Sequence, residues 1–295
     1  MSADFYRLFY RYAWLLYGLG ALLLFALGGG LAHYLGADAN PGAYFVGQLW
    51  VLCLLFAGFL LHRYFDDALG AENLGRKVFR RVAWKPAMLY GAMLFLTAGA
   101  VATFFLVRMD AISQSLLVLM ILGLVVTVLY ATPPTRLSNS GYGEFVLALL
   151  MAAGIPTISF LLLNGEIHRL LLFVTFPLVL LNLVMLMAFD FPEYARNQKQ
   201  ERTTLLMRLG WENGILLHNL LILAAFFLLG ISSLFGFPAF AVLPTFLLLP
   251  LGIFQIYYMF RISEGARPNW NALTIAGISL FGVLAYMFTI AFWTH

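Results

Sequence analysis

Apolar stretches of about 20 residues recur along the whole chain, and this repetition constrains the fold more than any other feature of the sequence. They occupy residues 13–35, 43–61, 86–107, 112–131, 145–163, 170–189, 214–236, 238–260 and 271–293. A helix needs about 20 predominantly apolar residues to cross the hydrocarbon core of a membrane. Each stretch therefore predicts one spanning helix, nine in all. The boundary between the seventh and eighth depends on the helix-breaking turn Gly236-Phe237-Pro238.

The composition excludes a soluble globular protein. Of the 295 residues, 63% are apolar and 10% are charged, against about 45–50% and about 25% in ordinary soluble domains. In lipid, helices can satisfy their own backbone hydrogen bonds. The sequence thus predicts an all-α polytopic membrane protein, with residues 1–295 forming a single transmembrane domain. The one cysteine, Cys53, excludes an internal disulfide and a multi-cysteine metal site.

The basic residues are distributed unevenly between the two sides that nine spans define. Fifteen of the 17 lysines and arginines fall on the side of the N-terminus, and only Arg108 and Arg169 fall opposite. Cytoplasmic loops of membrane proteins carry the excess of lysine and arginine. We therefore expect a cytoplasmic N-terminus, cytoplasmic loops near 62–85 and 190–213, and a C-terminus outside.

Acidic residues cluster in the same two loops, where the second and sixth spans end. The first cluster contains Asp66, Asp67 and Glu72, and the second contains Asp190 and Glu193. Carboxylates suit Mg²⁺, which usually also keeps substrate phosphate oxygens in its coordination shell. Lysines and arginines follow each cluster, an arrangement that can neutralise a diphosphate leaving group. The alternative is that the basic residues anchor the topology and the acids are their solvated partners.

Three segments carry a resemblance to a known family. The first is Tyr64-Phe65-Asp66 with Gly70 and Glu72. The second runs from Tyr130 through Pro133, Pro134, Arg136 and Leu137 to Gly141, Gly143 and Glu144. The third runs from Asp190 and Glu193 to Arg202, Thr204, Leu205, Arg208, Leu209 and Gly210. In this order and spacing, they resemble the UbiA superfamily of intramembrane prenyltransferases, particularly its menaquinone-type 1,4-dihydroxy-2-naphthoate prenyltransferase branch.

The resemblance implies a nine-helix bundle that transfers a polyprenyl group from its diphosphate to an aromatic acceptor such as dihydroxynaphthoate, in menaquinone or quinone biosynthesis. It also implies Mg²⁺ as cofactor and a bacterial or archaeal cell membrane as the location. The implied catalytic and metal-binding residues are Asp66, Glu72, Asp190 and Glu193. The implied substrate-binding residues are Arg63, Tyr64, Asp67, Lys77, Tyr130, Arg136, Asn197, Lys199 and Arg202.

The sequence also departs from the family pattern. The family has two acidic motifs, which correspond to residues 62–72 (the first motif) and 190–197 (the second motif) of this chain. His62-Arg63 stands where the first motif begins Asn-Asp, and Glu72 replaces an Asp. In the second motif, Glu193 replaces an Asp and Asn197 replaces the final Asp. An arginine can contact a diphosphate directly, so a reduced metal requirement is one consequence. The alternative is a catalytically degenerate member that binds a quinone or isoprenoid lipid, or that acts as a membrane assembly subunit. Glu144 belongs to the second segment of the resemblance. The alternative for this residue is that it is no more than an acid at the N-terminus of the fifth span, where a negative charge is favourable.

Overall fold

The part of the chain that the structure describes contains nine helical segments long and apolar enough to cross a membrane. This structure, a computed structural model, describes residues 3–37, 40–65, 76–199 and 202–295, and their side chains outside 3–14 and 76–84. The spanning helices, numbered first to ninth, are Leu15–Tyr34, Pro41–Phe65, Lys85–Arg108, Gln114–Ala131, Gly143–Asn164, Arg169–Lys199, Trp211–Phe235, Ala239–Ser263 and Trp270–Thr294. The predicted all-α membrane protein with nine spans is confirmed.

Several helices extend beyond the apolar stretches that predicted them. The helix that contains the first span begins at Ala3, and the helix that contains the third span begins at Arg76. Residues 76–85, which follow the first motif, are therefore helical. The sixth spanning segment consists of the helix Arg169–Asp190, a 3₁₀ turn Phe191–Glu193 and a short helix Tyr194–Lys199. A second short helix, Leu205–Leu209, precedes the seventh spanning helix. The second motif therefore begins at the last residue of a long helix, Asp190, and continues through the 3₁₀ turn and the short helix that follow.

The turn between the seventh and eighth helices lies at the glycine and proline that predicted it. Gly236 has a φ of +85°, a left-handed conformation that glycine adopts without a steric penalty. Pro238 is the N-cap residue of the next helical segment, which begins at Ala239. The division into two spans follows from these two residues.

The sixth helix lies at the centre of the bundle. It packs against the fifth, seventh and ninth helices. In its most apolar stretch, 78% is buried inside the protein, compared with 17% in the third helix and 22% in the fourth. The third and fourth helices are therefore peripheral. The sixth helix is thus held by three neighbouring helices. Its end is therefore a rigid place for a binding site.

The first and fifth helices approach each other at a glycine. A Cβ atom at Gly28 would overlap the carbonyl oxygen of Pro156 and would lie 2.8 Å from the Cβ of Ser159. Small residues allow the backbones of membrane helices to come this close. The fifth helix contains a π-helical turn, Leu150–Gly154, immediately before this contact. The glycine thus sets the separation of two core helices.

A buried polar pair joins the seventh and eighth helices. The Nε2 atom of His218 lies 3.1 Å from the side-chain nitrogen of Gln255, and both side chains are fully buried. The other ring nitrogen of His218 lies 3.2 Å from the Oδ1 atom of Asn219. Interhelical hydrogen bonds of this kind hold membrane helices together, and His218 accordingly has a place in the packing of the bundle.

Candidate functional site

The candidate site lies at one end of the bundle, which we call the motif end. Here the second, fourth and sixth helices end, and the fifth and seventh begin. Tyr130 from the fourth helix, Glu144 from the fifth, Asp190 from the sixth and Arg202 from the following segment interact electrostatically. Four separate parts of the chain thus bring two acids, a phenol and a guanidinium together.

Asp190 is the central residue of this group. Its carboxyl group forms a side-chain hydrogen bond with Glu144, and it also interacts with Arg202 and Glu193. Its Oδ2 atom is buried and has no hydrogen-bond partner among the described residues. A buried oxygen without a partner costs free energy, so this atom marks a place where a cation or a donor can bind.

The rest of the second motif is divided between buried and exposed positions. Glu193 forms an ion pair with Arg196, with 2.7 Å between the Oε2 and Nε atoms. Asn197 is buried, with 3% of its surface exposed, and its carbonyl oxygen accepts a hydrogen bond from the backbone N–H of Arg202 at 3.1 Å. Lys199 is exposed. This backbone hydrogen bond fixes the distance between Asn197 and Arg202.

The loop between the fourth and fifth helices docks on the segment after the second motif. The N–H of Thr203 donates to Oδ1 of Asn139 at 3.0 Å, and the N–H of Gly141 donates to the carbonyl oxygen of Thr203 at 3.1 Å. The guanidinium of Arg208 lies over the ring of Tyr142, 4.2 Å from its centroid. These contacts link two loops that are far apart in sequence. We call residues 139–144 together with residues 203–208 the loop contact.

Glu144 belongs to the same contact. Its Oε2 atom accepts a hydrogen bond from the N–H of Leu205 at 3.0 Å, while the carboxyl group also bonds to Asp190. Glu144 lies in the first turn of its helix, as the interpretation as a helix N-terminal acid requires. That interpretation is incomplete, because Glu144 has partners on two other elements.

The second helix reaches the site through an aromatic contact. The ring of His62 lies 6.0 Å from the ring of Tyr130, centroid to centroid. Arg63 stacks over Phe59 at 5.1 Å, and Tyr64 packs edge-on against Phe65 at 4.8 Å. The end of the second helix is therefore adjacent to the residues around Asp190.

The remaining predicted residues have different outcomes. Asp66, Asp67 and Glu72 lie outside the described residues, as does the side chain of Lys77, and their assignments stay predictions. Arg136 is partly buried and has a φ of +38°, an uncommon conformation for a residue with a side chain. It begins the short 3₁₀ turn Leu137–Asn139, which leads into the loop contact.

Within the described ranges, no three His, Cys, Asp or Glu side chains form a group that could hold a metal ion. Beside Asp190, the described carboxyl groups are those of Glu144 and Glu193. The carboxyl groups predicted to supply the other ligands, Asp66 and Glu72, fall outside these ranges. A metal site between the two motifs therefore stays a prediction.

Comparison with known proteins gives a consistent result for the fold. By sequence, no family model and no curated protein matches the chain. By structure, the chain is similar to a digeranylgeranylglyceryl phosphate synthase, with a TM-score of 0.67 and 12% identity over 95% of this chain and 94% of the other. It is also similar to a UbiA homolog from Archaeoglobus fulgidus bound to GPP and Mg²⁺, with a TM-score of 0.60 and 16% identity over 95% and 97% of the two chains.

A further structure of the UbiA homolog from Archaeoglobus fulgidus matches 99% of this chain and 98% of the other, with a TM-score of 0.59 and 16% identity. These similarities extend over the whole length of the chain. The protein is an integral membrane protein with the fold of UbiA-type prenyltransferases. At these identities, the similarity does not distinguish the menaquinone-type branch from others.

Proposed function

We propose that this protein transfers a polyprenyl group from its diphosphate to an aromatic acceptor within the membrane. The observation that carries the proposal is the group at the end of the sixth helix, where the unpartnered Oδ2 of Asp190 lies beside Glu144, Arg202 and Tyr130. Release of a diphosphate requires acids that hold a metal ion. It also requires a positively charged side chain, here that of Arg202, that binds the phosphate oxygens. The fold is shared with a UbiA homolog that has been solved with GPP and Mg²⁺, which supports the proposal for the prenyl diphosphate.

The unpartnered Oδ2 of Asp190 fits Mg²⁺, because a hard cation prefers carboxylate oxygens. In this proposal, Asp190 and Glu193 from the second motif hold Mg²⁺ together with Asp66 and Glu72 from the first. Bound there, Mg²⁺ would supply charge neutralisation for the diphosphate. A UbiA homolog with this fold has been solved with GPP and Mg²⁺ and with DMAPP and Mg²⁺, which supports the assignment.

The other predicted residues bind and orient the substrates. Arg202 contacts the diphosphate oxygens through its guanidinium group, whose planar donors suit phosphate. Tyr130 and Arg136 shape the wall formed by the loop between the fourth and fifth helices. We assign supporting roles to the side chains at the edges of the two motifs, namely Arg63, Tyr64, Asp67, Lys77, Asn197 and Lys199.

The reaction begins when the allylic C–O bond breaks with its electron pair on the diphosphate. An electron-rich ring carbon of the acceptor then attacks the allylic cation, and the ring regains its aromaticity when this carbon loses its former substituent, as a proton to water or, from a carboxylated carbon, as carbon dioxide. We propose dihydroxynaphthoate as the acceptor, in menaquinone or quinone biosynthesis, from the Asp-Phe-Pro-Glu and Arg-Leu-Gly similarity of the second motif. The similarity to a digeranylgeranylglyceryl phosphate synthase makes geranylgeranylglyceryl phosphate the acceptor to compare.

A second candidate function is binding of a quinone or isoprenoid lipid without catalysis. The observation that favours it is the ion pair between Glu193 and Arg196, which already neutralises one of the proposed ligands. The buried amide of Asn197, in place of an acid, has the same effect on the charge of the motif. A protein of this kind would bind prenyl diphosphate but would release no diphosphate.

We further propose that the motif end faces the cytoplasm of a bacterial or archaeal cell. The support is the distribution of basic residues, because 15 of 17 lie in segments on this side and cytoplasmic loops carry such an excess. The polyprenyl diphosphate would then enter from the cytoplasmic leaflet.

The experiment that tests the proposal is a diphosphate-release assay on the detergent-purified protein. Geranylgeranyl diphosphate is supplied with dihydroxynaphthoate or with geranylgeranylglyceryl phosphate, with and without Mg²⁺. The test variant is Asp66→Asn/Glu193→Gln. The matched control is Asp110→Asn/Glu166→Gln, which makes the same two changes at the opposite end of the bundle.

We expect release that requires dihydroxynaphthoate and Mg²⁺, that is lost in the test variant and that is retained in the control. Release only with geranylgeranylglyceryl phosphate would overturn the aromatic acceptor. Binding of geranylgeranyl diphosphate without release for either acceptor would favour the second candidate function.

A further inference from the structure

Glu144 bonds to two elements that are distant from it in sequence. Its Oε2 accepts from the N–H of Leu205 at 3.0 Å, across a separation of 61 residues. The same carboxyl group forms a hydrogen bond with the side chain of Asp190 at the end of the sixth helix. One side chain therefore links the start of the fifth helix, the end of the sixth and the helix Leu205–Leu209.

The loop contact reinforces this link with backbone hydrogen bonds. Thr203 is bonded on both sides, since its N–H donates to Asn139 and its carbonyl oxygen accepts from Gly141. The neighbouring Thr204 is buried, and its side chain caps the helix Leu205–Leu209 by accepting from the N–H of Met207. Residues 203–205 thus have defined partners, and Glu144 supplies a carboxyl group as one of them.

Arg202 directly precedes these contacts in the chain. Its N–H donates to the carbonyl oxygen of Asn197 at 3.1 Å, and Thr203 follows it directly. Its side chain interacts with Asp190. The position of the guanidinium relative to Asp190 therefore depends on where the loop contact holds residues 203–205.

We propose that Glu144 is a positioning residue for Asp190 and Arg202. Its carboxyl group holds the end of the sixth helix and the helix Leu205–Leu209 together, so that the acid and the guanidinium face the same diphosphate. This inference rests on the proposed function for the identity of the anion, but the positional link itself is independent of any substrate.

Substitution by glutamine separates positioning from the other roles that a glutamate can have. In Glu144→Gln, the amide oxygen can still accept from Leu205, and the amide N–H₂ can donate to Asp190. Glu144→Ala removes both bonds. If Glu144 acted as a metal ligand or through its charge on the helix dipole, both variants would lose its effect. If Glu144 is a positioning residue, the glutamine variant keeps its effect and only the alanine variant loses it.

The first measurement is amide hydrogen exchange of residues 202–209 in the detergent-purified full-length protein without substrate. We expect Glu144→Ala to accelerate this exchange by about fivefold, the effect of losing one hydrogen bond. Glu144→Gln should exchange as the unmodified protein does. Glu212→Ala, which changes an exposed glutamate at the same end of the bundle, is the matched control and should have no effect.

The second measurement is the kinetics of diphosphate release. We expect Glu144→Ala to lower kcat by about tenfold or more, a loss of transition-state stabilisation, and Glu144→Gln to restore most of it. In an Arg202→Ala background, Glu144→Ala should add less than about threefold, because residues that act through each other are not additive. If Glu144→Ala does not purify as a folded monodisperse protein, Glu144→Asp replaces it, since its shorter side chain cannot reach both partners.

Three results would overturn the inference: unchanged exchange of residues 202–209 in Glu144→Ala, equal kinetic damage in the glutamine and alanine variants, or full additivity with Arg202→Ala. The exchange measurement uses no substrate. A protein without activity but with Glu144-dependent protection of residues 202–209 would therefore disprove the proposed function and keep the positional link.

Discussion

The carboxyl group of Asp190, at the end of the sixth helix, is hydrogen-bonded to the carboxyl group of Glu144, at the start of the fifth. Two acids this close repel each other unless a cation or a hydrogen-bond donor lies beside them. Arg202 interacts with Asp190 and with Tyr130, and the Oδ2 of Asp190 has no hydrogen-bond partner within the described part of the chain. The predictions below follow from this pair and from the packing that holds it.

Asp190→Asn should abolish most of the prenyl transfer. The amide lacks the negative charge with which a carboxylate binds a hard cation, and loss of such a charge-stabilising group costs about a hundredfold or more in kcat. The initial rate of diphosphate release at saturating Mg²⁺ measures this. Thermal unfolding should change little, because the amide can donate a hydrogen bond to Glu144. A variant with at least half of the normal rate would contradict the assigned role.

Arg202→Lys and Arg202→Gln should differ in their effects on substrate binding. Lysine keeps the charge but loses the planar donor pair, so we expect the KM for geranylgeranyl diphosphate to rise modestly. Glutamine removes the charge, and the KM should rise by about tenfold or more. Steady-state kinetics compares the two variants. Arg196→Gln, which changes an exposed arginine paired with Glu193, is the comparison, and an equal effect there would argue against a specific role for Arg202.

Gly28→Ala should destabilise the protein, because the added Cβ would overlap the carbonyl oxygen of Pro156. Inserting a methyl group into a tight contact costs about 1–3 kcal/mol. Thermal unfolding in detergent checks this. Gly20→Ala is the matched control in the same helix, since a Cβ there meets nothing within 4 Å. Equal unfolding temperatures for the two variants would show that the first and fifth helices can separate at no cost.

Gln255→Leu should destabilise the bundle by leaving a fully buried His218 without its partner on the eighth helix. A buried polar group without a partner costs about 1–3 kcal/mol. The double variant His218→Phe/Gln255→Leu removes both polar groups and should recover part of the loss. Unfolding temperatures of the two variants measure the difference. A double variant less stable than the single one would show that the pair contributes little to the interaction of the seventh and eighth helices.

Single cysteines should report the proposed orientation in intact cells. Cys53 is buried, with 3% of its surface exposed, and Cys53→Ser provides a background without thiols. In that background, Glu166→Cys should react with a membrane-impermeant maleimide, and Ser263→Cys should react only after the membrane is permeabilised. Both positions are exposed and lie at opposite ends of the bundle. The reverse pattern would place the motif end outside.

The sequence alone was sufficient to predict the number and positions of the spanning helices. Length and apolarity decide whether a segment crosses a membrane, and both are properties of the segment itself. The same holds for the turn at Gly236 and Pro238, where the local residue types determine the conformation. The acids Asp190 and Glu193 could also be selected from sequence, because acidic residues near the ends of apolar spans are rare and therefore informative.

The partners of these residues were decided only by the tertiary structure. Glu144 is a plausible helix N-terminal acid in sequence, and only the packing of the fifth helix against the sixth brings its carboxyl group to Asp190. The contact of Thr203 with Asn139 likewise depends on two loops that meet because the fourth and sixth helices end, and the fifth and seventh begin, at the same end of the bundle. Such contacts depend on the distances between helices, which close approaches such as that of Gly28 to Pro156 set, and no local pattern encodes those distances.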